Sequence, residues 1–317
     1  MADAFRTVIE THTAGDPMQD GILWTNLTRS EIAAGLAEEG FEVSVTVVDQ
    51  LLEVFHLGQR KPQKVKTMCS PPDRDAQFRH IAKLRREFLE NGFPIVSMDS
   101  KKKEMLGEYV RGGRVRSTAP LRGWDHDWPS HSRGVVIPHG LYDLARNEGY
   151  LHLGDSHDTS EFAADALLDW WRHYGCHYYS QETPLLLLCD GGGSNSSRRV
   201  VFKEQLQRVV EATGLLIRVA HYPPGCSKYN PIEHRLFPHV TRKLQGLFLT
   251  SYEMFRDLAR QATTATGLRV FARSLRGLYE LGQRATLHSV HQLRILYDTV
   301  LPQWNYLLIP QPLWEVI

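Results

Sequence analysis

Paired cysteine is missing from this chain: Cys69, Cys176, Cys189 and Cys226 include no Cys-x-x-Cys. That spacing argues against a zinc site or a disulfide framework. Cys189, inside a leucine run, reads as a small buried hydrophobe. No apolar stretch reaches the roughly 18 residues of a membrane span. The start, Met1-Ala2-Asp3-Ala4-Phe5-Arg6, lacks the basic-then-apolar pattern of a signal peptide. Cytoplasmic residence with no membrane partner is the resulting expectation. Repeats and low-complexity tracts are absent, and so is any excess of one charge. With 37 Lys and Arg against 36 Asp and Glu, the net charge of +1 says nothing by itself for a nucleic-acid partner.

What is present is an ordinary globular composition, 42% hydrophobic and 23% charged, in 317 residues. That length suits about two domains, each able to bury a core. Charge is unevenly spread. Residues 1–50 hold nine acids and two arginines, a balance of −7, so the remainder carries +8. Basic clusters stand at Arg60-Lys61-x-x-Lys64-x-Lys66, Lys101-Lys102-Lys103, Arg198-Arg199 and Arg242-Lys243. A lysine run is usually a solvated face, but beside a metal site it can contact phosphates.

Residues 28–55 predict two helices around a tight turn. Thr28 with Glu31 makes a capping box, Gly40 ends the first helix, and the second spans about 44–55. The pattern is helix-turn-helix, although Asp49 and Glu53 on the second helix would repel phosphate. Residues 59–76 read as a linker, and a helix over about 74–90 ends at Asn91-Gly92. From Phe93 the pattern becomes mixed α/β. Strands are predicted at 94–99, 134–142, 149–153, 185–190 and 215–221, with helices at 159–174, 197–213 and 231–244. Residues 100–132 form an irregular insertion with Trp124-Asp125-His126-Asp127-Trp128. The order β-β-β-α-β-α-β-α is similar to that of an RNase H-like fold. Alternating strands and helices also predict a largely parallel central sheet.

Three acids stand out. Asp99 and Asp190 each close an apolar run, and Glu233 lies in the first turn of a predicted helix after Asn230-Pro231. Taken singly each has a bland reading: Asp-Ser and Asp-Gly are turn pairs, and Asn230, Pro231 and Glu233 make a capping box. Against this, Glu233 shares a helix face with Leu236, Phe237 and Val240. Ligands of open α/β sheets bind beyond the carboxyl ends of strands, where both aspartates are predicted. Clustered carboxylates repel unless a cation joins them, and Mg²⁺ or Mn²⁺ suits oxygen donors. The Gly191-Gly192-Gly193-Ser194-Asn195-Ser196 loop is no Walker motif; its glycines allow close backbone approach. His221 and His234 are possible auxiliary groups, with a structural role the alternative for His221.

Four segments carry a resemblance to a known family: 96–104 (Val-Ser-Met-Asp-Ser-Lys-Lys-Lys-Glu), 190–195 (Asp-Gly-Gly-Gly-Ser-Asn), 221–237 around Asn230-Pro231-Ile232-Glu233, and 263–270 (Thr-Thr-Ala-Thr-Gly-Leu-Arg-Val). Segments 71–78 and 157–162 add to it. Over roughly residues 7–285 the chain resembles DDE transposases of bacterial insertion sequences, of the Rhodopirellula type. The resemblance implies an RNase H-like catalytic core whose triad falls on Asp99, Asp190 and Glu233. It implies two Mg²⁺ or Mn²⁺ ions, DNA cleavage and strand transfer, double-stranded DNA as partner, a homo-oligomer on that DNA, and a place at the nucleoid. Members of this group usually begin with a further basic helix-turn-helix region, which the sequence lacks. A non-cutting remnant that binds DNA and a host RNase H-like nuclease are therefore the alternative expectations.

The expected architecture is α/β, an RNase H-like mixed sheet flanked by helices and preceded by a small helical helix-turn-helix domain. The domains run 1–65 (helix-turn-helix), 66–92 (linker and helix), 93–285 (catalytic) and 286–317 (tail). Lys101, Lys102, Lys103, Lys228, Arg242 and Lys243 are the candidate phosphate contacts.

Overall fold

A computed structural model describes residues 1–10, 13–15, 23–25, 27–59, 72–192, 199–275, 277–283 and 291–311. The basic run at 60–66, the loop residues Gly193 to Ser196, Arg198, and Pro312 and Trp314 of the tail lie outside them. The chain divides into two compact units, Met1–Lys66 and Thr67–Ile317.

The first unit contains α1 (Ala2–Glu10), the antiparallel pair β1 (Thr13–Gly15) and β2 (Leu23–Thr25), α2 (Arg29–Glu38) and α3 (Val45–Val54). The capping box forms: Thr28 N–H donates to Glu31 Oε2 at 2.6 Å and Glu31 N–H to Thr28 Oγ1 at 3.3 Å. Gly40, at φ +87°, follows α2 in the left-handed region that a side chain disfavours. Phe5, Ile32, Leu36, Val48 and Leu51 form the core. Helix α1, which the sequence analysis leaves unassigned, supplies Phe5, stacked on Phe55 at 4.9 Å. On α3, Asp49 is paired with Arg29 at 2.9 Å.

The second unit is built on one mixed sheet. Its elements are α4 (Arg74–Glu90), β3 (Ile95–Ser100), β4 (Glu104–Met105), β5 (Val135–Asp143), β6 (Glu148–Gly154), α5 (Ser160–Trp170), α6 (Cys176–Tyr178) and β7 (Leu185–Cys189). There follow α7 (Val200–Thr213), β8 (Ile217–His221), α8 (Pro231–Arg235), α9 (Phe237–Leu244), α10 (Tyr252–Arg260), β9 (Arg269–Ser274), β10 (Ile295–Tyr297) and β11 (Asn305–Leu308). Strand order is β10-β11-β8-β7-β3-β5-β6-β9, with β4 off the path beside β5. Pairing is parallel along β3-β7-β8 and between β6 and β9, and antiparallel elsewhere. A largely parallel sheet is thus corrected to a mixed one. No helix separates β5 from β6, so that connection is a hairpin; helices intervene only where the chain crosses between parallel strands. Three consecutive antiparallel strands followed by two parallel ones, β6-β5-β3-β7-β8, make the RNase H-like arrangement.

Side chains alternate across the sheet. Val96, Met98, Leu185, Leu187 and Cys189 face the core shared with α5 and α7. Ile95, Leu186 and Leu188 face α4. The α4 side of the sheet continues over β5, β6 and β9 under α8, α9 and α10.

Three features differ from expectation, the first two for local reasons. The helix predicted at 231–244 is broken at Leu236 (φ −123°, ψ −61°) into α8 and α9. Pro238 has no N–H to donate and its ring crowds the preceding turn. The helix predicted at 159–174 is capped by Thr159, whose Oγ1 accepts from Phe162 N–H at 3.1 Å, and it widens to a π turn over Trp171–Gly175. In the segment the sequence sets apart as a tail, β11 pairs with β8. Among the described residues no helix is long and apolar enough to cross a membrane.

Candidate active site

Parallel register decides where the two aspartates meet. Met98 on β3 is paired with Cys189 on β7, so Asp99 and Asp190 stand one step further on. By alternation both side chains leave the sheet on the α4 side, from strands about 4.8 Å apart. Asp99 is 9% exposed and takes a hydrogen bond from Ser100 N–H at 2.8 Å. Asp190 follows the last residue of β7, and Gly192 N–H bonds its carboxylate.

Glu233 arrives from α8. Asn230, expected to cap that helix through its side chain, does something else. Its Nδ2–H donates to Met98 O at 3.1 Å, and its Oδ1 accepts from Ser97 Oγ–H. Ser97 Oγ in turn accepts from Ile232 N–H at 3.0 Å. Ser97 and Asn230 are both fully buried and tie α8 to β3 two residues before Asp99. The floor under this helix is glycine: a Cβ at Gly140 would lie 2.6 Å from Phe237 and 2.8 Å from Ile232, and one at Gly149 would overlap Leu236. These positions let backbone of β5 and β6 approach the helix pair closely.

The three carboxyls feel one another. Burial, then the charges of Asp190, Glu233 and Asp158, push Asp99 up to about 8, against a hydrogen bond from Ser100. Burial pushes Asp190 up to about 6, with Glu233 and Asp158 adding to it and Gly192 N–H opposing. The two carboxyls repel each other, and that repulsion raises the pair as a whole. Glu233 is raised by burial, opposed by His234, by a hydrogen bond with Asp99 and by Lys101. Among the described residues no three His, Cys, Asp or Glu side chains are already arranged as a metal cage.

Asp158, just before α5, is a fourth acid, which the sequence analysis places only within the family-like segment 157–162. Ser100 Oγ–H donates to its Oδ1 at 2.9 Å. Ser97 and Asn230 were also missed as positioning groups, because nothing local shows that residues 133 apart will meet.

The candidate phosphate contacts fall into two classes. Lys101 is corrected: its side chain is 7% exposed and its ammonium is bound to Glu104 at 2.6 Å, so it does not reach a substrate phosphate. Lys102 and Lys103 are exposed and line a cavity of about 540 Å³ with Arg111, Tyr109 and Thr241. Lys228 is exposed over the Tyr229 ring, Arg242 is exposed and Lys243 half-buried on α9. His234 is exposed and bonded to Lys228 O. His221 is fully buried with both ring nitrogens engaged, which rules out contact with phosphate and leaves its structural alternative.

Structures of the Mos1 transposase are similar at low identity: a pre-cleavage Mos1 transpososome (14% identity, TM-score 0.45, covering 81% of this chain and 69% of that one) and a Mos1 mariner paired end complex with Mn (15%, 0.44, 77% and 74%). No curated protein matches the sequence. The model of the Rhodopirellula transposase DDE domain family matches residues 4–310. Since that match spans both units and all three acids, the chain belongs to the Rhodopirellula transposase DDE domain family, a family of DNA transposases.

Proposed function

We propose that this chain cuts and rejoins DNA strands with the aid of two divalent cations held by Asp99, Asp190 and Glu233. The observation that carries the reading is the electrostatic frustration of the site. Two of its carboxyls sit well above their ordinary value of 3.8, at about 8 and about 6, because burial and mutual repulsion oppose their ionisation. Perturbed acids gathered where open sheets bind ligands favour a functional reading.

The donor set suits Mg²⁺ or Mn²⁺. It is all hard carboxylate oxygen, and cysteine and histidine do not contribute. When bound, the ions supply Lewis-acid activation of water and charge stabilisation at the departing 3′ oxygen of an in-line displacement. The residues do the rest. Asp99 and Asp190 are fixed by strand register and accept cation charge in place of protons. Asp99 gives up its proton as it does so. Glu233 closes the constellation from α8, whose placement depends on Ser97 and Asn230. Lys102, Lys103, Lys228, Arg242 and Lys243 hold backbone phosphates of double-stranded DNA and carry no sequence information.

The test is Mn²⁺-dependent nicking of supercoiled plasmid by the full chain and by Asp190→Asn. Nicking by the wild type alone supports the reading. Equal activity in the two defeats it, and binding without nicking by the wild type makes the chain a non-cutting remnant.

A further inference from the structure

Asp190 is held differently from the other two acids. Asp99 lies within β3, paired with Gly140 of β5. Glu233 rides on a clamped helix. Asp190 comes after the end of β7, at the entrance to a glycine-rich turn. Its carbonyl oxygen accepts a hydrogen bond from His221 Nδ1 at 3.0 Å. The other ring nitrogen, Nε2, lies 3.0 Å from the Tyr306 hydroxyl on β11. A carbonyl can only accept, so Nδ1 carries the ring proton and Nε2 accepts from tyrosine.

The histidine cannot swing. Its N–H donates to Trp304 O at 2.9 Å, and its carbonyl accepts from Gln77 Nε2–H at 2.9 Å. Gln77 and Asn305 bond each other through both amide ends, at 2.9 and 2.7 Å. Gln77, His221, Asn305 and Tyr306 are all fully buried. An apolar side chain would fill this space without needing four matched partners. Buried polar networks are tolerated when every member is satisfied, and what they add is a single geometry.

We propose that Tyr306 and His221 are a positioning pair for Asp190: the C-terminal strand sets the tautomer and plane of the imidazole, whose one N–H fixes the Asp190 peptide and so aims its carboxylate at Asp99 and Glu233. This rests on the triad reading above. It makes β11 part of the catalytic apparatus, although it lies more than a hundred residues beyond Asp190 in sequence.

Tyr306→Phe removes one oxygen and keeps the ring. In the full chain without DNA, Mn²⁺ affinity measured by isothermal titration calorimetry is expected to fall about tenfold, the effect of losing a group behind a ligand. Nicking of supercoiled plasmid is expected to lose about tenfold in kcat with KM for the plasmid unchanged. His221→Asn places an amide N–H where Nδ1 stands and offers nothing to Tyr306. It is expected to retain most of the Mn²⁺ affinity and to make added Tyr306→Phe silent. Wild-type Mn²⁺ affinity in Tyr306→Phe overturns the proposal, as does an undiminished Tyr306→Phe effect in the His221→Asn background. Should His221→Asn fail to fold, the Tyr306→Phe titration decides alone. Asp190→Asn separates the two levels: if it leaves Mn²⁺ binding whole, the triad reading fails; if it abolishes binding while Tyr306→Phe does not alter it, only the positioning pair fails.

Discussion

Strand β5 runs alongside the whole of β3, and buried acids stand at both ends of the pairing. Near the start of β3, Asp143 lies opposite Val96 and next to Glu148 across the hairpin. There every carboxylate oxygen has a partner. Glu148 is bonded by Arg146 at 3.0 and 3.2 Å, by Arg269 and by the Tyr150 hydroxyl. Asp143 takes bonds from Ala145 N–H, Arg146 N–H and the Tyr179 hydroxyl at 3.0, 3.1 and 2.7 Å. Burial alone would raise Glu148, yet Arg146 and Tyr150 hold it below its ordinary value. At the far end, Asp99 takes one backbone N–H and feels three like charges, those of Asp190, Glu233 and Asp158. The same sheet therefore carries one acid cluster completed by the chain itself and one left incomplete. Incompleteness, not acidity or burial, is what points to an external cation.

The sharpest way to break this contrast is to neutralise one acid at each end. Asp99→Asn is expected to lower plasmid nicking by on the order of a thousandfold. Glu148→Gln is expected to leave turnover within about threefold of wild type and instead to reduce stability in urea melts. The loss is set at about 2–3 kcal/mol, below that for a fully buried pair because both arginines reach water. Equal losses of activity in the two variants would erase the distinction between the ends.

Mn²⁺ at about a hundred times its Kd should add about 2.7 kcal/mol to unfolding free energy. Scanning calorimetry is expected to show the gain in wild type and Glu148→Gln and to show none in Asp99→Asn. A gain that survives Asp99→Asn would place the cation elsewhere.

Glu148 should also differ from the incomplete end in pH response, although burial raises its neighbour Asp143. Asp99 and Asp190 bind protons more tightly folded than unfolded, since about 8 and about 6 lie above 3.8. With EDTA present, their contribution to stability is full below about pH 4 and is lost as pH rises towards 8. Glu148, lowered on folding, contributes in the opposite sense: its stabilisation is present above its ordinary 4.5 and is lost in acid. Urea melts of wild type and Asp99→Asn are expected to part as pH rises from 6 to 8, the wild type falling more steeply because asparagine at that position has no proton to lose. A parallel pair of curves would remove Asp99 from the frustrated cluster.

Smaller effects sharpen the picture around the incomplete end. Asn230→Ala leaves Ser97 Oγ and Met98 O without their partner and is expected to reduce stability by about 1–3 kcal/mol in the same melts. Lys102→Ala is expected to weaken duplex binding uniformly and to reduce the salt slope by about 0.9, whereas Lys101→Ala leaves the slope unchanged because Glu104 already holds that charge. A changed slope for Lys101→Ala would return it to the phosphate contacts.

Much of the fold was legible where periodicity is local. The capping box at Thr28 and Glu31, the Gly214 stop of α7 at φ +70°, and the strands carrying Asp99 and Asp190 follow from short-range pattern. The break at Leu236 was legible in principle, since Pro238 stands inside the expected helix. Lys101 was misjudged because a lysine run looks solvated until Glu104 folds back on it. Helix α1 and strands β9 to β11 carry too little periodic signal to stand out alone. His221 stood open between an auxiliary and a structural role, because sequence shows the ring and not its burial.

The sequence by itself determined the types of most elements, the family and the three candidate acids, because hydrophobic period, turn residues and motif spacing act over a few residues. Only the tertiary structure decided that Asp99 and Asp190 share one register step and one face, that Ser97 and Asn230 clamp Glu233 beside them, and that Tyr306 reaches Asp190 through His221. Those outcomes depend on strand pairing and side-chain burial between residues far apart in the chain, and such contacts are set by the packing of the whole sheet.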